Sequence, residues 1–206
     1  MSANFNGPHS AAVRRNPCSK GRKGFSVSGS VYLALAHYPV YNKAGEVITS
    51  AVSNLDLHDI SRAAKTYGVK AFYVVTPLED QQALVRRIVS HWVCGFGATY
   101  NPDRQAALEL AVLVSSFEDA IEEIACKENS RPVTLATDAR PHKNNVGLDR
   151  LSTTLESGRP LLLTFGTAWG LTREFIEKAD YVLAPIVGPT DYNHLSVRSA
   201  VAIVLD

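Results

Sequence analysis

The sequence predicts an α/β fold in which a mostly parallel six-stranded sheet lies between helices. Two observations carry this expectation. From Val31 onward, short continuous apolar runs alternate with segments of helical periodicity. The runs are apolar throughout instead of alternating with polar residues, as strands covered on both faces are. Strands separated by helices pair in parallel through right-handed crossovers.

The elements follow in order. VYLALA at 31–36 is the first strand, ending at His37-Tyr38-Pro39, where Pro39 lacks the N–H needed to continue a ladder. Leu57 to Tyr67 predicts a helix with Leu57, Ile60 and Ala64 on one face, Asp56 as N-cap and Gly68 as its stop. Residues 70–76 (KAFYVVT) form the next strand and Leu78–Val93 the next helix. CGFGATYNPDRQ reads as a Gly-rich loop. Leu110–Val114 is the third strand, and Ser116–Lys127 is a helix whose Ser116 and Asp119 have capping-box spacing. VTLAT supplies the fourth strand and a helix over 147–157 ends at Gly158. LLLTF at 161–165, the helix 171–179, YVLAPI at 181–186 and a last helix from about Leu195 complete the chain.

With 206 residues, one large domain can bury roughly 70% of its unfolded surface without metals or disulfides. Residues 1–30 form a basic arm: Arg14, Arg15, Lys20, Arg22 and Lys23 face no acidic residue. Residues 31–206 form the domain proper and carry an excess of four acidic charges. Such an arm suits RNA contact or is a solvated, partly disordered leader. Three scattered cysteines and no signal-like leader suggest reduced thiols in the cytoplasm. No apolar run approaches the ~20 residues that cross a bilayer, so no membrane partner is expected.

Familiar site signatures are missing. Neither G-x-G-x-x-G after the first strand, nor a Walker A loop, nor G-x-S-x-G occurs. The histidines are dispersed, and no metal is expected. What stands out is a pair of glycine-bearing turns after consecutive strands, FGTAWG at 165–170 and VGPTDYN at 187–193. Open α/β sheets bind ligands beyond the carboxyl ends of their strands. Gly166, Gly170 and Gly188 let backbone approach a ligand there, and Phe165, Leu171, Ile186 and Leu195 offer apolar walls.

Phe165-Gly166-Thr167-Ala168-Trp169-Gly170-Leu171 resembles the first cofactor loop of the SPOUT superfamily of knotted RNA methyltransferases. Ile186-x-Gly188 followed by Tyr192-Asn193-His194-Leu195-Ser196-Val197-Arg198-Ser199-Ala200 resembles its second loop and closing helix. Asn54 to Arg62 is similar to the helix start that faces RNA and the methyl donor. The resemblance covers 31–206 and is nearest to bacterial tRNA guanine-N1 methyltransferases. It implies a deep C-terminal trefoil knot, a homodimer, S-adenosylmethionine (SAM) as cofactor, and tRNA or rRNA as partner.

On that resemblance, cofactor contacts are expected from Thr164, Phe165, Gly166, Thr167, Gly170, Leu171, Ile186, Gly188, Tyr192, Asn193, His194, Leu195 and Ser199. Arg62 would position an RNA phosphate or the methionine carboxylate. The guanine-N1 enzymes use an Asp as base, but their G-D-Y segment is absent, so that residue is not carried over. Asp138 and Asp191 are candidates by location, and ribose 2′-hydroxyl methylation stays open beside base methylation. Two other classes remain: a nucleotide- or RNA-binding protein of this fold without transfer activity, and an α/β metabolic enzyme binding another nucleotide.

If the arm contacts RNA, removal of residues 1–24 reduces the slope of log affinity against log salt concentration. An unchanged slope in filter binding across a salt series eliminates that role.

Overall fold

A computed structural model describes residues 29–143 and 145–206. The basic arm, expected over 1–30, therefore lies almost wholly outside the described residues. The remainder forms a seven-stranded sheet and a separate two-stranded hairpin. In chain order the strands are β1 (Val31–Ala36), β2 (Val40–Tyr41), β3 (Val47–Ile48), β4 (Phe72–Val75), β5 (Ala111–Val114), β6 (Val133–Thr137), β7 (Asn145–Val146), β8 (Leu161–Gly166) and β9 (Tyr181–Leu183). The helices are α1 (Asn54–Thr66), α2 (Glu79–Val93), α3 (Phe96–Tyr100), α4 (Pro102–Leu108), α5 (Phe117–Glu128), α6 (Leu148–Glu156), α7 (Arg173–Lys178) and α8 (Val197–Leu205).

The large sheet has the order β5-β4-β1-β8-β6-β9-β7, and every neighbouring pair is parallel. The six expected strands are all present. The short edge strand β7 and the β2–β3 hairpin were not expected, because two-residue strands carry no readable periodicity. Side chains alternate across the sheet with period 2. Leu33, Leu35, Phe72, Val74, Leu161 and Leu163 share one core with Leu57, Ile60, Val85, Leu151 and Val201 from α1, α2, α6 and α8. On the opposite face Tyr32, Tyr73 and Leu162 pack with Ala120, Ile121 and Ile124 of α5. A third cluster joins Ala36, Val40 and Ala136 to Leu171, Phe175 and Ile176 around α7.

Several boundaries differ from expectation for identifiable reasons. Residues 94–105, expected as a loop, hold the two short helices α3 and α4. Gly97 is there for packing, since a Cβ would lie 2.6 Å from Trp92 Cε3. Asn101 accepts a hydrogen bond from the Arg104 N–H at 2.9 Å, and Pro102 occupies the first turn of α4, where its missing N–H costs nothing. Helix α1 starts three residues early, with Ser53 at the N-cap; Asp56 is not the cap but pairs with Arg198. Strand β9 stops at Leu183, two residues before Pro185. The last helix starts at Val197, capped by Ser196, whose Oγ accepts from the Ser199 N–H at 3.3 Å. The Ser116–Asp119 capping box is formed as expected, with both reciprocal bonds present.

His37 ends β1 and is fully buried. Burial pushes its pKa down from 6.5 to about 4, against a smaller opposite pull from Asp56. Between these values the unfolded chain binds a proton that the folded chain does not, so stability falls as pH drops through this window. The His37 contribution to that loss approaches about 3 kcal/mol below the folded pKa. Urea unfolding at a series of pH values should show a shallower acid decline in His37→Asn than in the wild type.

Candidate functional site

Three loops meet at the carboxyl edge of the central strands, as the parallel topology dictates. The first follows β8, the second follows β6, and the third links β9 to α8. They enclose a cleft of about 640 Å³, within the usual size of a small-molecule site. Its walls are mostly apolar, with Phe165, Leu183, Ile186, Leu195, Val197 and Val204. A few polar side chains converge on it: Asp56, Thr137, Asp138, Arg140, Thr167, Asn193, His194 and Arg198.

The β8 loop turns tightly enough to require glycine twice. A Cβ on Gly166 would lie 2.8 Å from the Leu171 nitrogen and 2.9 Å from Leu171 Cγ. Gly170 has φ +94°, in the region that only glycine enters freely. Ala168 also has a positive φ, 52°, a strained geometry for a residue with a Cβ. Three N–H groups of this loop are already committed: Thr167 to the Ala36 carbonyl, Trp169 to that of Tyr41, and Gly170 to that of Thr167. A ligand here would meet the loop's carbonyls, its side chains and the N–H groups these bonds leave, such as that of Ala168.

In the β6 loop, the Asp138 side chain is only 4% exposed. Its carboxylate accepts from the Arg140 N–H at 3.1 Å, from the Arg140 guanidinium at 2.9 Å, and contacts His142 Nε2 at 2.8 Å. Burial alone would raise its pKa, but the Arg140 and His142 bonds together with the Arg140 charge outweigh that and hold it below the usual carboxylate value. The third loop is tied to the second by Asn193, whose amide donates to the Ala139 carbonyl at 2.8 Å. Across the cleft Arg198 of α8 binds Asp56 of α1 at 2.7 Å and reaches Asp59 at 3.4 Å.

Of the residues expected from the sequence, Phe165, Gly166, Thr167, Gly170, Ile186, Asn193, His194, Leu195 and Asp138 come together on the cleft wall. Thr164 and Leu171 are buried and do not line it. Gly188, Asp191, Tyr192 and Ser199 lie off the lining; Tyr192 is exposed and meets His194 edge-on with ring centres 5.6 Å apart. Arg62 is exposed on α1 and also lies off the lining. Asp56, Arg140 and Arg198 belong to the cleft but were not singled out from the sequence. Their signal was there: Arg198 sits inside the LSVRSA run and Asp56 inside NLDLHD, but the pairing spans 142 residues of chain.

The residues present suit an adenine nucleoside carrying a short polar tail. The apolar walls accept a flat base, the glycine cradle lets backbone approach closely, and the arginines stand near enough for a carboxylate.

Comparison with known proteins agrees with this chemistry. A family model described as SAM-dependent RNA methyltransferase matches residues 30–206. A protein of Oleidesulfovibrio alaskensis named tRNA (guanine-N(1)-)-methyltransferase is 42% identical over 177 residues, 86% of this chain; the chain spans 41% of that relative's length. An uncharacterized protein of Aquifex aeolicus is 36% identical over 181 residues, 87% of this chain and 88% of its own. Among solved structures, a probable methyltransferase from Bordetella pertussis superposes with a TM-score of 0.58 at 17% identity, covering 87% of this chain and 92% of that one; this likeness shows the fold alone. The chain belongs to the family described as SAM-dependent RNA methyltransferase and is related to proteins named tRNA (guanine-N(1)-)-methyltransferase.

Proposed function

We propose that this chain transfers a methyl group from S-adenosylmethionine to RNA, at a base of tRNA or rRNA. The observation that carries the proposal is the three-loop cleft, one wall of which is a turn that needs glycine at Gly166, where a Cβ would meet the Leu171 nitrogen, and at Gly170, with φ +94°. Phe165, Leu183, Ile186 and Leu195 would hold the adenine. Thr167, Gly170, Asn193 and His194 would direct its polar edges, with the buried Thr164 and Leu171 setting the loop. Gly188, Tyr192 and Ser199 would contribute through the outer loop and the start of α8. When bound, S-adenosylmethionine supplies an electrophilic methyl group on a sulfonium sulfur. The protein's own tasks are to align the acceptor with that carbon, exclude water and accept the proton an acceptor nitrogen loses.

Asp138 is the better placed of the two candidate bases, since Asp191 stands on the exposed outer loop. At rest Arg140 keeps Asp138 ionised but weakly basic. Arg140 has a half-exposed side chain; turning it toward an RNA phosphate would raise the basicity of Asp138 when substrate arrives. Arg62, on the exposed face of α1, would meet the RNA backbone outside the cleft.

We also infer the C-terminal knot. Strand β8 is inserted between β1 and the earlier β6, and after β9 the chain returns from near the sheet edge to pack α8 on α1 and β8. A homodimer is supported by exposed apolar side chains beside the cleft, Leu148, Val187, Leu195 and Ile203. No described helix is long and apolar enough to cross a membrane, and the proposed site of action is the cytoplasm, where tRNA and rRNA are exposed to modification.

A second reading, an RNA- or nucleotide-binding protein without transfer activity, is favoured by one observation. Both carboxylates of the cleft are engaged in ion pairs, Asp56 with Arg198 and Asp138 with Arg140.

Incubation of RNA with protein and donor, followed by mass spectrometry of the nucleosides, separates these readings. A new methylated base is expected; a methylated ribose would move the acceptor to the 2′-hydroxyl, and donor binding without any product would favour the second reading. Gly166→Ala should weaken S-adenosylhomocysteine binding about tenfold or more in calorimetry, because the added carbon must displace Leu171 backbone.

A further inference from the structure

The β2–β3 hairpin is built against the back of the β8 loop. Val40 bridges Leu171. The Tyr41 N–H donates to the Gly170 carbonyl at 3.0 Å, the Trp169 N–H to the Tyr41 carbonyl at 3.0 Å, and the Thr172 N–H to the Pro39 carbonyl at 3.3 Å. Side chains extend this brace inward. The Thr167 hydroxyl donates to the Ala36 carbonyl at 3.1 Å and also lies against the Ser50 hydroxyl. Ser50 Oγ is 3.0 Å from His37 Nδ1.

The Ser50 hydroxyl also lies 3.5 Å from the His37 carbonyl, and the proposed relay takes the following direction of donation. With the Thr167 proton given to Ala36, Ser50 donates to Thr167, and His37 Nδ1–H donates to Ser50. The chain starts on a fully buried ring and ends on a residue of the cleft wall. Neither His37 nor Ser50 lines the cleft, so any influence they have on a ligand passes through Thr167.

We propose that His37 and Ser50 are positioning residues for the cofactor loop. They fix the Thr167 hydroxyl, and with it the direction in which the Gly166–Gly170 backbone faces the cleft. Apolar packing of Leu171 holds this loop down but does not orient a hydroxyl, whereas hydrogen bonds do. The inference rests on the reading that the cleft binds S-adenosylmethionine.

The test uses the full chain near neutral pH, with four variants beside the wild type. Ser50→Ala breaks the relay. His37→Asn keeps an amide N–H at the Nδ1 position, and His37→Phe removes it. Ile124→Val loosens the core on the opposite side of the sheet and controls for lost stability. Calorimetry with S-adenosylhomocysteine should find Ser50→Ala and His37→Phe weakened about five- to tenfold, the value of one lost hydrogen bond. His37→Asn should stay near the wild type, and Ile124→Val should bind unchanged. Hydrogen exchange of the free proteins should show faster amides over 167–171 in Ser50→Ala, with those of β8 unchanged.

Equal affinity and equal loop exchange in Ser50→Ala overturn the proposal. So does a control that weakens binding as much as Ser50→Ala, or a His37→Asn variant no better than His37→Phe. If the wild type itself fails to bind S-adenosylhomocysteine, the cofactor reading falls instead, and loop exchange in the free protein still decides whether Ser50 and His37 hold the loop.

Discussion

The insertion of β8 between β1 and β6 is the constraint on which the remaining structure depends. Leu163 stands level with Leu33 on one side and Leu135 on the other, so three buried leucines form a row across the sheet. Burying each contributes about 1.5–3 kcal/mol, and a slip of one residue would turn every one of them to the opposite face. That register sets where β8 ends. Gly166 arrives level with Ala36, and Thr137 donates to the Thr164 carbonyl at 3.0 Å. The β8 and β6 loops therefore emerge side by side, and the cleft exists because two strands distant in sequence are neighbours in space.

Around that apolar frame the charges are few and held in place. Arg198 and Asp56 clasp α8 to α1, while Arg140 and His142 hold Asp138. The two carboxylates are the buried members, so removing Arg140 or Arg198 would leave a buried charge without its partner. The same arrangement keeps the cleft nearly neutral and mostly apolar, a setting suited to a flat base with a short charged tail. The proposed methyl transfer asks mainly for alignment and dryness, which glycine turns and apolar walls would supply.

The sequence made the strands legible because they are short apolar runs between helical segments, and all six runs became strands of the large sheet. It also pointed to nine of the residues that line the cleft. FGTAWG carries the two glycines its turn requires, and Asn193, His194 and Leu195 stand in the run before the last helix. Local chemistry sufficed there, since a tight turn needs glycine at Gly166 and Gly170 whatever lies around it. Likewise the Ser116–Asp119 cap formed as written, its two bonds spanning three residues.

What the sequence alone could not decide was partnership between distant residues. Asp56 looked like a helix cap and is instead a salt-bridge partner for Arg198. Asp138 was a candidate base by location alone and is clamped by Arg140 and His142, which hold its pKa below the usual carboxylate value. CGFGATYNPDRQ looked like a loop, but Gly97 lies against Trp92 and the segment is helical. The β2–β3 hairpin, too short to have a period, braces the β8 loop through backbone bonds that no side-chain pattern announces. Periodicity and turn chemistry are properties of neighbouring residues, so they are written locally; ion pairs and loop contacts depend on which strands lie side by side, and only the folded sheet order determines that.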